Sequence, residues 1–165
     1  MRTIIKEALT NEEVKKVFLL RKDVFVNEQK MFSHTDMDEH DNNAHYLIAF
    51  VDGIAVGTVR VYSLENNDIW EGGRLAVKKE YRRTNIGGEL VREAVKYVSK
   101  RGAMHFSAKI QKDNIVFFKK LGWTVDSQEF FFRGRHHVRM VSNISQLLPA
   151  GAGTKKTSLS LKGTR

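Results

Sequence analysis

Apolar positions recur along the chain in two periods, and the changes from one period to the other predict the order of elements. Arg2 to Leu9 carries Ile4, Ile5 and Leu9 in a short apolar stretch, the pattern of a first strand. Thr10-Asn11-Glu12-Glu13 follows as a capping box, in which the Thr10 hydroxyl accepts from the backbone and Glu13 reaches back. Val14, Val17, Phe18, Val24 and Phe25 recur at helical spacing, so the helix is expected to reach about Phe25. From Asn27 to Ala44 the period is lost and Asp, Glu, His and Asn take over; a long polar loop in a compact domain is often functional.

Tyr46 to Val51 and Ile54 to Tyr62 are β-favouring runs separated by Asp52-Gly53, which predicts an antiparallel hairpin because both turn residues must take positive φ. A looser turn at Glu65-Asn66-Asn67 leads into Ile69 to Val77, a third strand of the same meander. Helical spacing returns from Gly87 to Lys100 through Leu90, Val91, Ala94, Val95 and Val98, and Gly102 is placed to stop that helix. Met104 to Ile110 reads as a strand, and Asn114 to Leu121 as a short helix closed by Gly122. Trp123 to Phe132 and His137 to Val141 read as a hairpin around Arg133-Gly134-Arg135. The order gives an α/β fold around a mixed sheet, because the helix from Gly87 to Lys100 must join strands that run parallel. Residues 1–148 form one domain on this reading, and 149–165, rich in Ala, Gly, Thr, Ser and Lys, read as a mobile basic tail.

Composition narrows the picture. The 165 residues suit one domain, with 41% apolar and 28% charged residues. The longest apolar run, near Tyr46 to Val51, falls far below the roughly 20 residues of a membrane span, and Met1 to Lys6 lacks a signal-peptide pattern, so a cytoplasmic location is expected. The absence of cysteine removes disulfides, thiolate metal sites and a cysteine nucleophile. No metal site is expected: the histidines are scattered, and the adjacent His136 and His137 fall on opposite strand faces. A net charge of +9 and a pI near 9.8 favour an anionic partner, whether nucleic acid, an acidic carrier protein or a polyanionic small molecule. The Phe residues sit within apolar segments, which argues against the stacking groove that nucleic-acid binding requires.

Leu75-Ala76-Val77, then Tyr81-Arg82-Arg83-Thr84-Asn85-Ile86-Gly87-Gly88, then a helix, is the stretch richest in chemistry. A strand feeding a small-residue turn into a helix start gathers free backbone N–H groups and the positive end of the helix dipole in one place, an anion site. Gly87 and Gly88 allow close approach, and Arg82 and Arg83 add charge. An ordinary strand-to-helix turn with exposed arginines is the other reading.

The run resembles the acyl-CoA signature of the GNAT superfamily of N-acetyltransferases: Arg or Gln, two residues, Gly, one residue, Gly or Ala. Arg82 and Gly87 match its ends, and Asn85 stands at the inner glycine, where Asn tolerates positive φ better than other side chains with a β-carbon. Asn114-Ile115-Val116-Phe117-Phe118-Lys119-Lys120-Leu121-Gly122-Trp123 is similar to the second block that closes the coenzyme A site. The resemblance implies a mixed, mostly antiparallel sheet of about seven strands flanked by three to four helices. It also implies acetyl-CoA or another acyl-CoA as donor, a small-molecule amine as acceptor and direct transfer in a ternary complex. Leu75, Ala76, Val77, Arg82, Arg83, Thr84, Asn85, Ile86, Gly87, Gly88, Asn114 and Phe118 are then the cofactor contacts. The thioester would lie between Val77 and Met104, polarised by an N–H near Val77. Phe118 stands where relatives often carry a phenolic acid and has no proton to give; a thiolate with a pKa near 8.5 departs without one.

On the acceptor side, Asp36, Asp38, Glu39, His40 and Asp41, with His45 following, form either a solvated acidic loop or a substrate site. Glu28, Asp38, Asp41 and His45 are the candidates for relaying the amine proton. Arg21, Phe25, the Asp36 to Asp41 run and Arg60 resemble acyl-homoserine-lactone synthases, which use S-adenosylmethionine and acyl carrier protein. Arg21 to Gln29 also resembles GNAT members with an Arg, Val-Phe-Val, Glu-Gln opening. These include little-characterised acetyltransferases encoded near nitrilases, whose ending resembles Gly134, His137 and Met140. Arg21, Phe25, Arg60, Arg74 and His137 are the candidate substrate contacts; of Trp70 and Arg74, strand alternation allows only one reading. A noncatalytic coenzyme A-binding module is favoured by Asn85 and Phe118. Relatives often pair as homodimers through the terminal strands.

Overall fold

The structure is a computed structural model that describes residues 1–64 and 66–144. Glu65, in an expected turn, and the expected tail from residue 149 lie outside the described residues.

Strand β1 (Thr3–Glu7) precedes helix α1 (Asn11–Arg21). The predicted capping box closes the start of α1: the Glu13 N–H donates to the Thr10 hydroxyl at 3.1 Å, and the Thr10 N–H donates to the Glu13 carboxylate at 3.2 Å. Past Arg21 the helix widens into a π-helical stretch, Lys22–Glu28, and runs beyond the expected end at Phe25. This stretch turns Val24 and Phe25 inward against Phe32 and Ala76. Apolar spacing gave no sign of it, because a π-turn changes the winding and not the residue types.

Strands β2 (His45–Val51) and β3 (Ile54–Ser63) pair antiparallel through Asp52-Gly53, whose φ angles of 49° and 84° supply the two positive values the hairpin needs. Strand β4 (Ile69–Val77) extends the meander. Helix α2 (Ile86–Lys100) stops before Gly102, φ 92°, and its crossover sets β5 (His105–Gln111) parallel to β4. Helix α3 (Ile115–Lys120) follows. The predicted last hairpin is split, since β6 (Thr124–Val125) and β7 (Phe130–Phe132) both pair with β8 (Arg135–Val141). Between them the Ser127 hydroxyl takes the Arg139 N–H at 2.8 Å, in place of a strand carbonyl. The mixed, mostly antiparallel sheet therefore has eight strands, one more than expected, in the order β1-β2-β3-β4-β5-β8-β6, with β7 on β8.

One face of the sheet packs on the apolar stripe of α2, with Leu90, Val91, Ala94, Val95 and Val98 against Val56, Val61, Trp70 and Phe106. The other face packs on α1 through Val17, Tyr46 and Ile48. Gly57 lets α2 come close: a Cβ there would stand 2.9 Å from the Leu90 side chain.

The acidic loop is held to the sheet by buried ion pairs. Arg21, 0% exposed at the end of α1, donates through Nε to Asp36 at 2.8 Å and through its terminal nitrogens to Asp41 at 2.8 and 3.0 Å. Arg60 on β3 reaches Asp38 at 2.6 Å, and Arg74 on β4 reaches the Asp36 carboxylate at 2.9 Å. Burial alone would raise the Asp41 carboxyl, but the hydrogen bonds and charge of Arg21 outweigh it and hold the group far below the usual carboxylate range. Burial against the pull of Arg60 gives the same downward result at Asp38.

Asp41→Asn leaves Arg21 undercompensated and is expected to cost about 3 kcal/mol of unfolding free energy at neutral pH. Denaturant unfolding checks it. A depressed carboxyl stabilises above its unfolded pKa of about 4 and loses that effect as pH falls toward the folded value, so the deficit should shrink in acid.

Candidate active site

The two parallel strands part company midway. Pairing of β4 with β5 runs from Ile69↔His105 to Gly72↔Ala108 and stops, while β4 continues to Val77 against β3 alone. Backbone polar groups of 73–77 that point toward β5 thus face an open seam. Arg74 sits at the break in the left-handed region, φ 53°, and the β3–β4 register shifts between Thr58 and Arg60. A bulge of this kind bends a strand and increases its twist, which carries β4 away from β5.

The bulge also resolves the alternation. In a regular strand residues 70 and 74 would share a face. Here Trp70 is buried against the α2 core, whereas Arg74 lies on the other face, bonded to Asp36 and over the Phe32 ring at 4.8 Å. Met104, expected opposite Val77, is at the closed end of the seam, where its N–H donates to the Asp68 carbonyl. The segment facing the open end is Lys109 to Asn114, because the strands are parallel and paired only at their starts.

The start of α2 lies at the open end. Asn85 has φ −76° and not the left-handed conformation its place in the motif suggested; it leads straight into the helix. No side chain caps the helix from Asn85, and Thr84 takes the Ile86 N–H at 3.4 Å. The N–H groups of Gly87 and Gly88 have no protein partner among the described residues, so they and the helix dipole are available to an anion. Arg82 turns its side chain elsewhere: Nε donates to the Val77 carbonyl at 2.9 Å, and the terminal nitrogens form a two-pronged pair with Glu28. That hydrogen-bonded pair lowers the Glu28 carboxyl. Arg83, like Arg82, is exposed.

A cavity of about 320 Å³ occupies the seam. Gly72, Gly73 and Leu75 of β4, Ala108, Ile110 and Gln111 of β5, and Val91 and Ala94 of α2 form its walls. Asn114 and Phe118 stand at the end of β5, and Phe25 and Phe32 close the side toward α1. Arg135 donates to the Gln29 carbonyl at 3.1 Å, and the Gln111 amide donates to the Gln29 side chain at 3.1 Å, which ties the β5–β8 side of the sheet to the end of the π-helical stretch across the opening.

Among the residues singled out from sequence, Phe25, Asp38, Arg60, Arg74, Leu75, Asn114, Phe118 and His137 line this cavity. Ala76 packs behind it on Phe25, and Val77 joins the core beside Ile86. Arg21 and Asp41 are bound into the ionic network outside the lining. His45 lies apart, hydrogen-bonded to Glu7 at 3.2 Å and beside Trp70 and Tyr97 near the far end of α2. Burial lowers the pKa of His137, despite its contact with the Arg135 carbonyl at 2.9 Å, so its ring is neutral at physiological pH.

Tyr62 and Glu71 line the cavity without having been singled out, and His40 stacks on Tyr62 at 4.1 Å. The Tyr62 hydroxyl donates to Glu71 at 3.4 Å, and burial, followed by the Glu71 charge, pushes the phenol up to about 12. The signal in the sequence was an acid on a β-strand beside Trp70, which the meander register places opposite Tyr62. Among the described residues no group of His, Asp and Glu could hold a metal ion, and no helix is long and apolar enough to cross a membrane.

The Glu28–Arg82 pair is largely exposed, so Glu28→Gln should change stability by less than about 1 kcal/mol in denaturant unfolding. A larger loss would mean that the pair holds the π-helical stretch in place.

Comparison with known proteins gives a consistent result. The family described as "Acetyltransferase (GNAT) family" matches residues 5–123. YjcF of Bacillus subtilis (strain 168), named an uncharacterized N-acetyltransferase, is 28% identical over 137 residues, covering 82% of this chain and 96% of that protein. An acyl-CoA N-acyltransferase from Pseudomonas aeruginosa has a similar structure, with a TM-score of 0.74 at 20% identity over 86% of this chain and 98% of that one. The CoA-dependent acyl-homoserine lactone synthase BjaI also matches, with a TM-score of 0.72 at 18% identity over 85% of this chain and 82% of that one. The structural likenesses are likenesses of fold.

Proposed function

The chain belongs to the GNAT acetyltransferase family, and from that premise we propose that it transfers an acyl group, acetyl in the first instance, from acyl-CoA directly to a small amine in a ternary complex. One observation carries the reading: the open edge of β4 after Gly72 adjoins a helix start whose Gly87 and Gly88 N–H groups have no protein partner among the described residues. An extended amide-bearing arm ending in a pyrophosphate fits that pair of features, since the strand edge offers backbone partners and the helix start offers positive potential. Leu75, Ala76 and Val77 would hold the arm, and Arg83 to Gly88 the pyrophosphate. Asn114 would hold the arm from the β5 side, and Phe118 would pack against it. Acyl-CoA supplies an activated thioester at the seam.

The chain's own groups then have separable tasks. A backbone N–H of the β4 edge polarises the thioester carbonyl. Phe25 and Phe32 exclude water from the seam. Glu71 is the group we assign to receive the amine proton, in place of the four sequence candidates. Asp38 and Asp41 are arginine-paired carboxylates with depressed pKa and make weak bases; Glu28 is engaged with Arg82, and His45 is outside the cavity. The Tyr62 phenol, protonated up to about pH 12, donates a hydrogen bond to Glu71.

Acyl-homoserine-lactone-type synthesis is a second reading, supported by the pairing of Arg21, Arg60 and the Asp36 to Asp41 run. It requires S-adenosylmethionine as acceptor and admits an acyl carrier protein as donor.

Calorimetric titration with acetyl-CoA, followed by an amine screen, tests the proposal. Saturable binding by the intact protein and its loss in an Arg82→Ala, Gly87→Glu double variant are expected. Glu71→Gln should bind acetyl-CoA normally and lose about 100-fold or more in kcat. Intact turnover in Glu71→Gln would remove Glu71 from the mechanism. An acyl-CoA that fails to bind the folded protein would remove the transferase reading, and turnover only with S-adenosylmethionine would select the second one.

A further inference from the structure

Resting on the transferase reading, the charges left over in the cavity point to the class of acceptor. Some charged side chains in the lining neutralise one another: Asp38 pairs with Arg60 and Arg74, and Arg74 also pairs with Asp36. Four do not: Glu39 is exposed and reaches only the His40 ring at 3.8 Å among the described residues, and the others are Glu71, Lys109 and Arg133. Among the described residues Glu71 has only the Tyr62 hydroxyl as a hydrogen-bond partner. Lys109 lies over the Phe132 ring at 4.5 Å and Arg133 over the Phe32 ring at 4.7 Å, and neither pairs with a carboxylate among the described residues. A donor is also left over, for the Nε of Arg60 is buried without an acceptor. Glu71 is half-buried and the Arg60 Nε buried, where a polar group without a partner is costly unless something fills the site; Lys109 and Arg133 are exposed and set a positive potential at its mouth.

The arrangement of these leftovers is polar in one direction. Glu71 stands on β4 opposite Ser107 of β5, next to Gly72 where the strands part. Lys109 is two residues past Ser107, on the same face and roughly 7 Å further along the strand. An ammonium at Glu71 therefore sits beside the seam, where attack on a thioester would take place, while the unpaired cations lie farther along the opening. A simple alkylamine would satisfy Glu71 and place nothing near Lys109, Arg133 or the Arg60 Nε–H. A molecule with an amine at one end and an anion at the other satisfies all of them.

We infer that the acceptor is an amine that also carries a carboxylate, an amino acid or a close derivative, bound with its amine at Glu71 and its carboxylate at Lys109 and Arg133. Aromatic neighbours fit the same class: Phe25, Phe32 and Phe132 border the same cavity and suit an apolar side chain of the molecule.

The test is a turnover assay with acetyl-CoA against each of the twenty amino acids, the amine left by decarboxylation of each, and phosphoethanolamine. At least one amino acid should exceed its decarboxylated amine by about 10-fold or more in kcat/KM, the scale of one hydrogen bond between charged groups. Lys109→Gln and Arg133→Gln should each reduce that preference, chiefly through KM. Both substitutions fall at exposed positions, so their folding is expected to be intact and a thermal melt can verify it. Equal use of amino acids and their decarboxylated amines overturns the inference, as does a preference that survives in both variants. Phosphoethanolamine preferred over every amino acid overturns the carboxylate assignment. Loss of all turnover with acetyl-CoA still bound sinks this inference and leaves the coenzyme site standing, whereas absence of acetyl-CoA binding sinks both.

Discussion

The parting of β4 from β5 after Gly72 is the constraint on which the rest of the structure depends. Two parallel strands inside a sheet normally satisfy each other's backbone along their length. Here the pairing covers Ile69 to Gly72 and then ends, because a left-handed Arg74 and a slipped register against β3 redirect the strand. The opening could not exist without support on both sides. On one side the crossover helix α2 binds the sheet through a continuous apolar stripe and delivers Gly87 and Gly88 to the open end. On the other, the segment after α1 and the β7–β8 hairpin meet across the opening through Gln29, Arg135 and Gln111.

Strain at Arg74 is held by charge. A non-glycine residue in the left-handed region costs on the order of 1 kcal/mol, and the guanidinium that would face the α2 core in a regular strand is bonded here to Asp36. Asp36 is itself gripped by Arg21 from α1, so the bulge, the acidic loop and the first helix form one ionic unit. The acidity of the loop thus serves positioning: it fixes the wall that carries Arg60 and Tyr62 and leaves Glu71 as a half-buried carboxylate with no cationic partner among the described residues. Breaking such a network at one member is costly because the remaining charges stay buried.

Most of the fold could be read along the chain. The capping box at Thr10, the Asp52-Gly53 turn, the amphipathic stripe from Leu90 to Val98 and the stop at Gly102 each follow from local chemistry, and each stands where the pattern placed it. The π-helical winding of Lys22–Glu28 and the break between β6 and β7 were not legible, since both are decided by tertiary packing on residues of ordinary type. On the candidate site, the sequence marked the Leu75 to Val77 edge and the Gly87-Gly88 start by local motif. It did not mark Glu71 or Tyr62, whose meeting depends on the register between β3 and β4. It grouped Asp38, Asp41 and His45 because they are close in sequence, and the fold sends them to different tasks: two into arginine pairs, one to Glu7 at the other end of α2.

The most direct measurement is a titration of the isotope-labelled protein with coenzyme A, followed by its backbone amide signals. The account predicts progressive shifts at Leu75 to Val77 and at Ile86 to Gly88, with the paired strands β1 and β2 unaffected. Shifts that avoid both segments, or that centre on the β1–β2 edge of the sheet, would contradict the claim that the open seam between β4 and β5 is the coenzyme site.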